Sequence, residues 1–390
     1  GGGGGGESRG MGQAQSGGPC GAGFDRRFGG FVDALAGGFH ARGGPAAPPP
    51  GGAVGGAGHW EGAPPPTRLP AAARLVALGD LHGDLGKTLR ALRVAGVVDA
   101  RGRWSGGETV VVQVGDQLDR GGDEIAILHL LERLQGEARA AGGAVHVLNG
   151  NHETINSDGR FRYASAEGMQ EFQEWQKVQR LAQRLKEGCG CAAGLASPGA
   201  EPEPERAQEM KLHRMKPEFR AGGEARMSAL QPGGPIARRF FASHPVVLQV
   251  GQSVFVHGGL LPQHVDYGLE RINAESRQWL LGKGERYGPH FLQGRDAVVW
   301  SRRYSVEEEK CECDTLREAL AKVPGASRMV VGHTVQQPEG INGACGGRVW
   351  RTDVGMSKGV ADAAPEVLEI LGDRTVRRLR EGRPPQVLVP

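Results

Sequence analysis

Three short stretches carry residue types that can do chemistry together: "GDLHGD" at Gly79–Asp84, "GDQLDRGG" at Gly115–Gly122 and "GNHE" at Gly150–Glu153. The first poses a choice, because Gly86-Lys87-Thr88 follows it and looks like the end of a phosphate-cradling loop. Such a loop needs G-x-x-x-x-G-K-[ST] so that open backbone amides wrap the phosphates. Counting back from Gly86, the first glycine of that pattern falls on Leu81, and the neighbouring glycines are out of register. What remains is Asp80 and His82 at a strand end. Residues i and i+2 of an extended chain point to one side, so a carboxylate and an imidazole stand together as potential metal ligands.

The same grammar recurs. Asp116 ends a second apolar run, with Asp119 and Arg120 just beyond; Asn151 and His152 end a third; His257 ("VHGG") and His333 ("VGHT") end later ones. Asp80, His82, Asp116, Asn151, His257 and His333 offer carboxylate, imidazole and amide oxygen without a thiolate. That donor set suits Mn²⁺, Fe or Zn²⁺. A carboxylate shared by two ions about 3.5–4 Å apart makes a clamp for phosphoryl transfer.

The elements that must position these residues read as alternating strands and helices. "RLVAL", "TVVVQV" and "AVHVLN" are buried strands, with helices in "GKTLRALRVAG" and "DEIAILHLLERLQGEARAAGG" between them. "PVVLQV" and "SVFVHGGL" form a hairpin turned at Gly251-Gln252, and "RMVVGHT" and "RVWRTDVG" follow a helix in "DTLREALAKV". Open α/β sheets place their sites at the C-terminal ends of strands, where all these polar clusters fall. The expected fold class is α/β. Residues 1–70, rich in Gly, Pro and Ala, read as a flexible segment, and 71–385 as the folded domain. Within the latter, 166–239 reads as a helical insertion with a mobile middle ("ASPGAEPEPE") and a substrate-facing role.

Composition narrows the function classes. A net charge of +3 over 390 residues gives no broad attraction to nucleic acid or membranes, and no apolar run approaches the roughly 20 residues of a membrane span. Two C-x-C pairs (Cys189/Cys191 and Cys311/Cys313) lack the C-x-x-C spacing of zinc ribbons, and free thiols in loops are the expected state, with a redox-sensitive pair as the alternative. The first Met is residue 11, the stretch "FDRRFGGFVDALAGGFHARGG" is weakly amphipathic, and acids are few before Pro70, a composition compatible with a targeting segment.

"GDLHG", "GDQLDRG" and "GNHE" together resemble the signature motifs of the phosphoprotein phosphatases, within the calcineurin-like metallophosphoesterases, over roughly Arg74 to Leu371. Asn149 stands where arginine commonly precedes the third motif, and "RTDVGMSKG" replaces a loop carrying a Ser-Ala-Pro-Asn-Tyr run. With "NGNHETIN", "CECDTL" and "VVGHTVQ", the chain resembles the bacterial-like, Shewanella-like branch of plants and algae. The resemblance implies a four-layer α/β/β/α sandwich and two divalent metal ions, Asp80, His82 and Asp116 at one and Asp116, Asn151, His257 and His333 at the other. It implies hydrolysis by a metal-bridging hydroxide, with His152 as general acid oriented by Asp119. Arg120 would hold the phosphoryl group; a second arginine is expected at Arg302, with Arg303 and Arg295 as alternatives.

The implied activity is dephosphorylation of serine or threonine in protein substrates, insensitive to microcystin and okadaic acid. A phosphotyrosine-directed enzyme and a dinucleoside polyphosphate or phosphodiester hydrolase are the alternatives, "LDRGG" and "GNHE" favouring a monoesterase. A non-catalytic binding protein would have lost ligands, and all six are present. The N-terminal segment and the helical insertion are the places expected to bind a partner. A cytoplasmic location is expected, with mitochondrial and chloroplast placement as alternatives.

Overall fold

The motif-bearing loops all emerge from strands of two six-stranded sheets. The computed structural model describes Gly1 and residues 64–188 and 216–389, so most of the Gly/Pro-rich segment, the "ASPGAEPEPE" stretch, Cys20, Cys189 and Cys191 lie outside the described residues. Strands β1 (Arg68–Leu69), β2 (Arg74–Leu78), β3 (Val110–Gln113) and β4 (Ala144–Val147) precede the helical stretch. β5 (Val247–Val250), β6 (Ser253–Val256), β7 (Arg328–Val331), β8 (Asn342–Ala344), β9 (Val349–Arg351), β10 (Glu366–Leu371), β11 (Thr375–Arg380) and β12 (Gln386–Val387) follow it. One sheet runs β12-β11-β10-β2-β3-β4 and the other β1-β5-β6-β7-β9-β8. The site-bearing strands are parallel in each: β2, β3 and β4 in the first, β6, β7 and β9 in the second.

Alternation along the strands shows how the sheets stack. Val254, Val256, Met329 and Val331 point into a core shared with helices, while Phe255 and Val330 point into a core shared with β2, β3 and β10. That period of two puts the sheets face to face, with helices outside each. On the outer face of the first sheet lie α1 (Leu85–Val94) and α2 (Glu124–Ala140). The helical stretch supplies α3 (Asn151–Ser157), α4 (Ala166–Gly188), α5 (Pro217–Leu230) and α6 (Pro235–Arg239), and α7 (Pro262–Tyr267), α8 (Leu269–Leu280) and α9 (Cys313–Ala321) complete the set. The architecture is the expected four-layer α/β/β/α sandwich. β1 arises within the Gly/Pro-rich segment: Thr67 and Leu69 carbonyls accept from Gln249 and Gly251 amides at 2.8 and 3.1 Å.

Three local readings are decided by contacts. Gly86-Lys87-Thr88 is the first turn of α1, where Asp84 caps the helix by accepting from Lys87 N at 2.9 Å. The Lys87 ammonium is buried on the carbonyls of Asp362 and Ala363, so the lysine is consumed in tying loops together and is no phosphate hook. The insertion is the second. Phe172, Trp175, Ala225, Ala229 and Ile236 enter the core shared with the second sheet, so its described helices are packed onto the body of the domain. The cysteines are the third. Cys313 and Cys345 form a disulfide across 32 residues, and the Cys311 thiol lies 3.3 Å from Cys345 Sγ. The expectation of free thiols fails there because folding brings the turn between β8 and β9 onto the start of α9.

Burial also writes a pH dependence into the fold. His244 is buried with its Nδ1 unpartnered, and desolvation pushes its pKa from 6.5 down to about 3. Between those values the unfolded chain binds a proton that the folded chain refuses. The stability is therefore complete above pH 6.5 and is lost as pH falls, at roughly 1.4 kcal/mol per pH unit. Urea unfolding of His244→Gln is expected to show a shallower loss between neutral pH and about pH 5.5, by roughly 1 kcal/mol. An unchanged acid slope would contradict this assignment.

Candidate active site and metal centre

The six ligand candidates meet where the C-terminal ends of the two sheets converge. Backbone bonds lash the loops: Leu81 N and His82 N both donate to Asp116 O at 3.0 Å. Glu153 clasps the next pair, its carboxylate accepting from the amides of Gly150, Asp116, Gln117 and Leu118 at 2.7–3.2 Å. Of eight non-glycine residues with positive φ among the described residues, five are site residues: His82, Asp116, Asp119, Arg120 and His333. Left-handed backbone is costly for such side chains and persists where the surroundings over-determine it, which is a mark of functional loops. Glycines make room at two close approaches. A Cβ on Gly150 would strike Asp116 Oδ1, and one on Gly332 would strike Asp80 Oδ1.

Asp116 is shared by two buried groups of donor side chains, one with His82 and His152 and the other with His257 and His333. His257 Nε2 is 3.1 Å from Asp116 Oδ2 and 2.9 Å from Asn151 Oδ1. His82 Nε2 is 3.8 Å from both Asp116 Oδ2 and Asp80 Oδ2. Asp80 in turn accepts from His333 N at 3.2 Å. Donors that share one ion at about 2.0–2.2 Å stand roughly 3–4 Å from each other, which is the spacing found.

The tautomers fit cations as well. His82 and His257 donate from Nδ1 to the carbonyls of Leu118 and Val114, at 3.0 and 2.8 Å, because a carbonyl can only accept. Backbone partners of this kind orient metal-binding imidazoles and leave Nε2 as the ligand atom. In His257 that Nε2 faces a carboxylate oxygen that also only accepts. Burial opposes a second proton there, but Asp116 and Asp80 push the pKa up to about 10, a measure of how much positive charge the spot demands. The Asp80 pKa is raised as well, well above the usual carboxylate range, by burial and then by Asp353. His333 Nε2 is buried with no hydrogen-bond partner. Clustered buried acids with bare ring nitrogens are what divalent cations would satisfy.

Beside this cluster stands a dyad. His152 Nδ1 donates to Asp119 Oδ2 at 2.6 Å, and its Nε2 lies 3.7 Å from Asp116 Oδ2. Burial works against a charged ring, yet Asp116 and Asp119 raise the His152 pKa above its ordinary value. Arg120 is exposed, its guanidinium 4.5 Å from the centre of the Tyr163 ring, which itself lies 5.0 Å from the His152 ring. Arg302 donates from Nη1 to His333 O at 2.9 Å, at the rim of the cluster. Arg303 is engaged by Asp296 and Glu312 instead, and Arg295 is exposed with no bond to the site.

A family model of calcineurin-like phosphoesterases matches residues 73–337. The chain belongs to this family. It is 50% identical over 313 residues to Shewanella-like protein phosphatase 2 of Arabidopsis thaliana, covering 80% of this chain and 78% of that relative. Shewanella-like protein phosphatase 1 of Plasmodium berghei is 26% identical over 73% of this chain and 67% of its own length. A solved cold-active protein-tyrosine phosphatase of a psychrophilic Shewanella shares the fold, with a TM-score of 0.58 at 21% identity over 83% of each chain. This calcineurin-like phosphoesterase is thus a phosphatase of the Shewanella-like protein phosphatase group, a family built on a dinuclear metal centre.

Several residues of this phosphatase escape a reading of its motifs. Asp353 is buried after β9, its carboxyl raised to about 6 by burial and lowered in part by the Gly355 amide it accepts. Its signal was present, since "RTDVG" repeats the strand-then-acid pattern of the other loops. Glu153 was visible only as the last letter of "GNHE". Asn149 ties the end of β4 to the chain before β5, donating to Phe241 O and His244 O at 2.9 and 2.7 Å. Arg226, on α5, is fully buried and bonded to Asp119. Nothing in the sequence of α5 announces it.

Proposed function

We propose that this phosphatase is a metal-dependent protein serine/threonine phosphatase. The observation that carries the reading is the short His152–Asp119 contact facing Asp116. An alkoxide is a poor leaving group and needs a proton as the ester bond opens. A positioned general acid contributes roughly 10²–10⁴-fold. Two divalent cations, with Mn²⁺ the proposed species and Fe or Zn²⁺ as alternatives, would lower the pKa of water and neutralise phosphoryl charge. Asp80, His82 and Asp116 would hold one cation, and Asp116, Asn151, His257 and His333 the other.

In this reading Arg120 and Arg302 grip phosphoryl oxygens in the planar geometry that guanidinium provides. Water attacks phosphorus in line, the bond from phosphorus to the serine or threonine oxygen breaks, and that oxygen takes the proton from His152 Nε2. Asp119 holds the ring by Nδ1 throughout. Insensitivity to microcystin and okadaic acid is part of the proposal. It is supported by the "RTDVGMSKG" segment being drawn onto the first loop: Ser357 Oγ donates to His82 O at 3.0 Å and Lys358 N to Asp84 Oδ2 at 3.0 Å.

Turnover of matched phosphoserine, phosphothreonine and phosphotyrosine peptides with Mn²⁺ tests the proposal. Phosphoserine or phosphothreonine is expected to exceed phosphotyrosine in kcat/KM by at least about tenfold, unaffected by either toxin. A phosphotyrosine preference would overturn the substrate assignment and direct attention to the Tyr163 face beside His152.

A further inference from the structure

We propose that Arg226, supplied by the helical stretch between the third motif and β5, is a positioning residue for the general-acid dyad. It acts by fixing the Asp119 carboxylate toward His152 Nδ1. The inference rests on the reading of His152 as acid given above. Arg226 is fully buried, with its guanidinium 4.6 Å from the centre of the Phe172 ring. Its Nη2 donates to Asp119 Oδ1 at 2.8 Å and to Glu124 Oε2 at 2.7 Å, its Nη1 to Glu124 Oε1 at 2.8 Å, and its Nε to Asn156 Oδ1 at 2.8 Å. Asn156 closes the circuit by donating from Nδ2 to Asp119 Oδ2 at 2.8 Å, the oxygen that also receives His152. Glu124 Oε2 accepts the Asp119 amide at 2.9 Å.

Each contact removes a freedom from Asp119. One oxygen is pinned by Arg226, the other is shared by Asn156 and His152, and the backbone is held by Glu124. The carboxylate then has a single rotation in which all donors are met. The Arg226 guanidinium lies directly against two carboxylates, Asp119 and Glu124. Asp119 sits on a left-handed backbone, so the side chain would not hold this direction by local preference alone. Only a planar fork bonds Asp119, Glu124 and Asn156 at once; a lysine ammonium on a flexible stem cannot.

A residue that works through the acid has a signature that packing support lacks: its loss is felt most where the leaving group most needs a proton. The test is kcat for a series of phenyl phosphates, from p-nitrophenyl phosphate to unsubstituted phenyl phosphate. It compares wild type, Arg226→Met and Arg226→Lys at saturating Mn²⁺, with bound metal counted in each. The deficit of Arg226→Met is expected to be roughly tenfold larger on phenyl than on p-nitrophenyl phosphate, and that of Arg226→Lys roughly threefold larger. An equal deficit along the series would overturn the proposal and leave Arg226 a structural residue. Should Arg226→Met lack a cooperative melt, the Arg226→Lys series decides in the same way. A wild type idle on phosphoserine peptides but active on the phenyl series would sink the serine/threonine reading alone, because the series still reads Arg226.

Discussion

Asp116→Asn is expected to lower turnover on every phosphomonoester by about 10³-fold or more, with the fold intact. Changes to residues that merely orient a metal ligand cost about 10–100-fold, and Asp116 stands between both ligand groups. Asparagine keeps the size and tolerates the positive φ of 57°. The loops are lashed through the Asp116 carbonyl and amide, which the substitution leaves in place, and through Asp116 Oδ1, which accepts from His152 N at 2.9 Å and which an asparagine oxygen can replace. The loss should therefore come with reduced metal content and a near wild-type melting temperature. Activity that survives in Asp116→Asn with full metal would remove Asp116 from the bridging role.

His152→Gln is expected to fail differently. Its metal content should match wild type, because the His152 ring is committed through Nδ1 to Asp119 and the ligand set assigned above does not need it. Turnover of phosphoserine peptides should fall about 10²–10⁴-fold. The fall on p-nitrophenyl phosphate should be much smaller, since that phenolate departs with little need of a proton. The pair of variants separates two failures, one of metal binding and one of proton delivery. Equal losses on both substrates in His152→Gln would show that the imidazole serves substrate binding rather than acid catalysis.

Much of this site was legible because of how parallel strands are buried. β2 and β3 are covered on both faces and the edge strand β4 on one, so each reads as an apolar stretch that must end in polar residues where the chain leaves the sheet. Asp80, Asp116, Asn151, His257 and His333 all follow that rule, and the structure brings them within a few ångströms of one another. The hairpin at Gly251-Gln252 was equally local, with Val250 paired to Ser253. Asp353 obeyed the rule as well but carried no motif of its own.

Arg226 and the Cys313–Cys345 bond were not legible, for a common reason. Arg226 lies 107 residues from Asp119, and Cys345 lies 32 residues from Cys313; both partnerships are made by packing between elements. In "GGEARMSAL" the arginine looks like any cation on a solvated helix face. Only the arrival of α5 against α3 turns it inward. The same packing sets this stretch against Asp119, whose carboxylate receives Arg226.

The clustered Asp, His and Asn residues are expected to hold two catalytic cations. Metal analysis of the purified wild type, before and after chelation and Mn²⁺ return, with phosphatase turnover followed in the same samples, tests it most directly. About two ions per chain are expected, with loss of turnover as they are removed and recovery as they return. Full turnover in a metal-free preparation would contradict it.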